Sequence, residues 1–226
     1  MKCIIFMWAV LYNIVYLAGK YSNSSVLAVL IMSAYIFLFA VWIYKKNLHI
    51  YTGFTVKDIK WDKAVSMVPL LILPVYNLIA ADNRNFTLYS IAMIFAAAVA
   101  EEIFFRGFIR NGLKRNGLLF SVVFTNILFA VYHLSNMLGG ADIRYVAMQM
   151  FAAFTVGMAY SMTAEVHKSI LPCIAAHFMT NITGAVREIQ SIGAYRAMFI
   201  ISVFYLIYDF YLITDNKTIF IESKKQ

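Results

Sequence analysis

Charged side chains are scarce in this sequence: Asp, Glu, Lys and Arg make up 13% of its 226 residues, where a soluble globular domain carries roughly a quarter. That share is too small to cover a water-facing surface. Cysteine is nearly absent. Cys3 and Cys173 show no spacing pattern, so neither a disulfide framework nor a thiolate metal site is suggested. Also missing is the alternation over roughly ten-residue segments that marks a transmembrane β-barrel. No linker, low-complexity tract or convincing internal repeat interrupts the chain, which leaves a single integral membrane domain over 1–226.

What fills the sequence instead is apolar: 62% hydrophobic residues and a mean hydropathy of +0.75. They fall into blocks of about 20, the helix length that crosses a hydrocarbon core of roughly 30 Å. The expectation is an all-α polytopic membrane protein of about eight transmembrane helices, near 4–18, 26–44, 64–81, 86–109, 117–138, 144–162, 169–186 and 195–213. The first follows Lys2 as a signal peptide would, but it lacks a small-x-small cleavage site and is kept as a helix. Pro69, Pro74 and Pro172 lie inside spans, where each frees a carbonyl and can kink its helix; Pro172 is expected to bend the seventh.

The net charge of +8 would suit a nucleic-acid partner, yet its distribution suits a membrane. With the N-terminus cytoplasmic, every basic residue except Lys20, Arg84, Arg144, Arg187 and Arg196 falls on the cytoplasmic side, as the positive-inside rule asks. Both termini are therefore expected in the cytoplasm, with membrane lipid as the surrounding partner and no nucleic acid. Lys45 to Lys63, ending near Trp61, interleaves apolar and charged residues; an interfacial segment and a solvated loop explain it equally well. The N-x-S/T matches at Asn23, Asn85, Asn181 and Asn216 are short enough to arise by chance.

An ionisable residue inside a span costs at least about 2.5–3.5 kcal/mol and is a functional candidate by default. The fourth span contains Glu101, Glu102 and Arg106, the fifth His133, and the seventh His177 with Asn181. His49 and His167 fall in expected cytoplasmic loops. Glu102 and Arg106 are four apart, so they share a helix face and can pair; Glu101 points about 100° away. His177 and Asn181 share a face by the same spacing. Glu101 and His133 lie equally far from Gly117, so a hairpin turning there brings them level. One acid, two imidazoles and an amide can thus converge in a cavity within the bundle. A carboxylate can take a proton from water, an imidazole can relay it, and N–H donors can hold an oxyanion.

Glu-Glu-x-x-x-Arg, Phe-x-x-x-His and His-x-x-x-Asn, in this order on successive hydrophobic spans, resemble the CPBP (CAAX protease and bacteriocin-processing, Abi) family. That family groups the eukaryotic CAAX prenyl endopeptidase with bacterial membrane proteins of bacteriocin maturation, self-immunity and pheromone processing. The resemblance covers roughly 86–190. It implies an intramembrane endopeptidase in which Glu101 activates water, assisted by His133. His177 and Asn181 would form the oxyanion site, with Glu102 and Arg106 supporting the first motif. The short chain points to a bacterial plasma-membrane member acting on a peptide or lipid-associated protein. No cofactor is required in that scheme.

Other readings of the same residues stay open. Glu101 or Glu102 with His133 and His177 could bind Zn²⁺, although His-Glu-x-x-His is lacking. A non-enzymatic immunity or scaffold protein, or a proton-coupled transporter, would use the buried carboxylates differently. Phe129 and Tyr132 read as packing. Cys173, one turn before His177, could form a Cys–His pair, but that scheme leaves the carboxylates unexplained. Substrate identity and oligomeric state are not written in the sequence.

Overall fold

The structure is a computed structural model. It describes residues 59–79, 88–184 and 192–221 continuously, together with single positions between 27 and 53. The expected first span, His49, Cys3, Asn23, Asn85 and most of the segment between Lys45 and Ile59 lie outside the described residues.

Every regular element among the described residues is helical. A 3-10 stretch, Trp61–Leu71, runs into α1 (Ile72–Ile79). Helix α2 (Leu88–Glu102) passes into a π-helical stretch, Ile103–Ile109, and ends in α3 (Arg110–Leu113). Gly117, at φ +104°, turns the chain into α4 (Leu118–Tyr132), whose end tightens into a 3-10 stretch, His133–Gly139. Helices α5 (Ile143–His167), α6 (Leu171–Gly184), α7 (Ile192–Asp215) and α8 (Lys217–Phe220) complete the order. Among the described residues, three helices are long and apolar enough to cross a membrane: Trp61–Ile79, Leu118–Met137 and Gly193–Asp215. Helices α2, α5 and α6 lie where spans were expected without meeting that standard.

Helix α5 is the axis of the molecule. From Thr155 to His167 every one of its residues is buried, with α4 and α7 making the most extensive contacts on it. Asp142 starts it, accepting hydrogen bonds from the N–H groups of Arg144 (2.9 Å) and Tyr145 (3.4 Å) and so satisfying two donors of the first turn. The outer helices are inverted relative to a soluble protein. On α7, Phe199, Ile200, Ile207 and Phe210 face outward while Ser202, Tyr205, Asp209 and Leu212 face inward. An exposed apolar face over a polar interior is what a hydrocarbon surround favours. Tyr35 packs with Ala96 and Ala100, and Phe39 with Phe108, placing the helix of the second expected span against α2 and the π stretch.

The prolines act differently from the expectation in one case. Pro172 sits in the first turn of α6, where a missing N–H leaves no bond unmade. It therefore starts that helix and does not bend it. Pro69, inside the 3-10 stretch, has no N–H to give the Ser66 carbonyl three residues earlier; the Tyr208 hydroxyl of α7 donates to that carbonyl instead. His167 also departs from its expected loop. Helix α5 continues five residues past the expected end, so His167 closes it fully buried, with Nε2 3.1 Å from Ser66 Oγ.

Candidate active site

The site forms where α2, the π stretch, α4, α5 and α6 meet. At its centre is the His177 ring, 6% exposed on α6. Its Nδ1 lies 2.8 Å from Glu102 Oε1, where an ionised carboxylate can only accept, so Nδ1–H donates. Its Nε2 lies 3.7 Å from Glu101 Oε2. The two adjacent glutamates thus flank one imidazole, one on each nitrogen. Glu102 is completely buried, whereas the Glu101 side chain keeps 14% of its exposure. The more accessible acid is the one with a face towards incoming water.

Arg106 pairs with Glu102 as the four-residue spacing requires: Nη1 donates to Oε1 at 3.0 Å, with both side chains fully buried. Arg106 itself lies in the π stretch, and the pair is made across the start of that stretch. Two such ions are tolerable in a dry interior only when each finds partners. Arg106 finds two more. Its Nη2 donates to Asn126 Oδ1 at 3.2 Å, and its guanidinium stacks 4.2 Å from the centre of the Phe129 ring. The ring's negative face stabilises the cation there. Phe129 is therefore more than packing. It also meets the His133 ring edge-on at 4.9 Å and the His177 ring at 6.0 Å.

His133 packs against that same phenyl ring. It is half-buried, and its Nδ1 lies 2.8 Å from the Phe129 carbonyl one turn back. A carbonyl can only accept, so Nδ1 carries the proton and Nε2 is the free acceptor. Asn181 is half-buried, one turn beyond His177 on the same helix. His177 is in contact with both glutamates, His133 is linked to it through Phe129, and Asn181 stands one turn further along α6. Cys173 is elsewhere occupied: fully buried, it donates to the Tyr160 carbonyl at 3.1 Å.

Zinc would need at least three protein ligands around one point. Among the described residues no three His, Cys, Asp or Glu side chains are so gathered.

Several participants carried no sequence signal. Asn126, fully buried, accepts from Arg106 and donates to the Val122 carbonyl (2.7 Å) and to Ser161 Oγ (2.9 Å). Gly157 lies beneath this contact: a Cβ there would collide with Asn126 Oδ1 and come within 2.8 Å of Arg106 Nη2. One turn beyond Arg106, Arg110 donates to the Ser161 carbonyl (2.8 Å) and pairs with Glu165 (3.2 Å), which Lys114 and Lys168 also reach. Asp209, an acid inside an apolar run of α7, was legible as a candidate and was not singled out. It is 3% exposed.

Residues 83–183, somewhat under half of the chain, match the family model described as type II CAAX prenyl endopeptidase Rce1-like. The resemblance read from the three motifs is thereby shown for the stretch that holds all of them. No curated protein and no solved structure gives a match to the chain.

Proposed function

We propose, taking the kinship of residues 83–183 with type II CAAX prenyl endopeptidases as the premise, that this chain is an intramembrane endopeptidase in which a glutamate activates water. The observation that carries this reading is the His177 imidazole held between Glu101 and Glu102. Glu102, neutralised by Arg106, fixes the ring through Nδ1–H. Nε2 donates to the oxyanion, as a tetrahedral centre forms, when the ring is the imidazolium, the form in which both nitrogens are donors. Glu101 takes the proton from the attacking water and returns it to the leaving amine. His133 Nε2, the acceptor of its ring, orients that water. Asn181 extends the donor set by one turn towards the substrate.

The substrate in this reading is a peptide or lipid-associated protein entering from the bilayer. The chain crosses the membrane in about eight helices with both termini cytoplasmic. The apolar outer face of α7 and the basic-residue distribution support that arrangement. No metal takes part, a view favoured by the lack of a cluster of three His, Cys, Asp or Glu side chains among the described residues.

The test is cleavage of prenylated and unprenylated peptide precursors in membranes carrying the wild type or Glu101→Gln. That variant keeps size and hydrogen-bonding capacity but removes the base, so loss of about 10²–10⁴-fold in rate is expected at normal abundance. Equal cleavage by the two proteins would remove Glu101 from the chemistry. Failure of the wild type on both substrate classes would favour a non-enzymatic role.

A further inference from the structure

An arginine and a carboxylate left alone usually pair through two parallel N–H···O bonds, the strongest arrangement open to them. Arg106 and Glu102 do not. Arg106 spends one nitrogen on Glu102 and the other on Asn126, and Glu102 Oε2 is left buried without a hydrogen-bond partner. Glu102 Oε1 is consequently shared between Arg106 Nη1 and His177 Nδ1. The agent that divides the guanidinium fork is a neutral amide.

We infer that Asn126 is a positioning residue for the reaction: by accepting from Arg106 Nη2 it draws the guanidinium out of line for a bidentate Arg106–Glu102 pair and so leaves Glu102 able to hold His177. This rests on the proposed endopeptidase reading for its consequence in catalysis, though not for its geometry.

The amide is fixed in one orientation by its surroundings. Val122 offers a carbonyl, which can only accept, and Arg106 offers an N–H, which can only donate. Oδ1 must therefore face Arg106 and Nδ2 must face Val122 and Ser161. Ser161 Oγ takes the second amide proton at 2.9 Å, so α5 locks the orientation that α4 alone would leave to one bond. Neutrality matters as well. An aspartate here would compete with Glu102 for the cation and turn an oxygen towards the Val122 carbonyl. Gly157 completes the device, since its missing side chain is what lets Asn126 and Arg106 meet at that depth.

With Asn126 gone, nothing holds Arg106 Nη2 away from Glu102, whose Oε2 is buried without a hydrogen-bond partner. Closing on it makes the pair bidentate, draws carboxylate charge away from His177, and weakens the bond that orients the ring. The damage falls on the turnover step and spares the substrate-binding surface.

The experiment uses the full-length protein in detergent or bilayer discs. Asn126→Leu, close in volume, removes both the acceptor and the donors. Ser161→Ala removes only the lock on the amide, and it keeps the variant set informative if Asn126→Leu fails to fold. Two readouts are taken: kcat and KM across pH, and the ¹⁵N shifts of the His177 ring, assigned by comparison with His177→Asn. Asn126→Leu is expected to lower kcat about ten- to hundredfold, the range seen when a partner that orients a site histidine is lost. KM should stay nearly constant, the pH profile of kcat should move, and the His177 shifts should move with it. Ser161→Ala should do the same to a smaller degree, with no further effect in the Asn126→Leu background. Unchanged His177 shifts and an unmoved pH profile in both variants would overturn the inference. Should the wild type cleave nothing while the shifts still respond, the endopeptidase reading fails and the positioning role stands.

Discussion

Gly157→Ala is the sharpest test of how the interior is built. One methyl group placed on α5 would overlap Asn126 Oδ1 and stand 2.8 Å from Arg106 Nη2. Neither neighbour is the loose end of a surface side chain. Asn126 is bonded at three points and Arg106 at two, and both are fully buried. To admit the methyl, the 3.2 Å contact between them must open. Overfilling a packed interior costs about 1–3 kcal/mol, and a hydrogen bond to a charged group is worth about 1.5–3 kcal/mol. Together the loss is about 2.5–6 kcal/mol, enough to cut accumulation in membranes and lower the melting temperature in detergent. The double variant Gly157→Ala with Asn126→Ala vacates the volume the methyl needs. Its stability should exceed what the sum of the single effects predicts, because the two sites share one contact. A Gly157→Ala protein as abundant, as heat-resistant and as active as the wild type would refute the close approach of Asn126 and Arg106.

Arg106→Ala strands Glu102 without its cation in a dry site, a loss of about 3–5 kcal/mol, so western blots of membranes should show reduced protein as well as reduced activity. Tyr208→Phe leaves the Ser66 carbonyl without its donor; a destabilisation of about 1–3 kcal/mol, read by thermal melting, should accompany normal catalysis. Cleavage should survive strong chelators, and activity lost to chelation and restored by added zinc would replace the glutamate mechanism with a metal one. The Asp142 carboxyl is held below its ordinary pKa, chiefly by the Arg144 side-chain hydrogen bond. Its contribution to stability is thus present above about pH 4, the unfolded value, and is lost as pH falls through the folded one. Melting curves of Asp142→Asn should show a flatter acid limb than the wild type.

The sequence was most legible where chemistry and spacing lay on one helix. The Glu102–Arg106 pair follows from a separation of four, and the structure has it at 3.0 Å. Spacing says nothing about what crosses in front of a helix. Glu101 and Glu102 diverge by about 100° about their own axis, yet His177 enters between them from α6 and meets both. Glu102 therefore contacts His177 as well as Arg106. Asn126, Ser161 and Gly157 were invisible for a different reason: neutral small and amide residues in an apolar run form no pattern, and their importance lies wholly in three-helix contact. His167 was misplaced because Ser161 to His167 reads as polar and loop-like. In the fold those polar groups are buried against neighbouring helices, which lets α5 continue through them. Asp209 needed no structure at all, since an acid amid Tyr205 to Leu212 breaks the apolar pattern on its own.

The bond from Tyr208 to the Ser66 carbonyl joins positions 142 residues apart, and this separation has a meaning in time. A ribosome adding roughly 5–20 residues per second delivers Tyr208 about 7–28 s after Ser66 has been made. Throughout that interval the 3-10 stretch around Pro69 carries a carbonyl that its own helix is unable to satisfy. Such a segment gains by staying beside the water and protein of the insertion machinery until α7 arrives. A nascent chain halted before Tyr205 should therefore remain crosslinkable to its insertase through the Trp61–Leu71 stretch, and release should coincide with the arrival of Tyr208. The last long helix acts as the clasp that lets one of the earlier ones go.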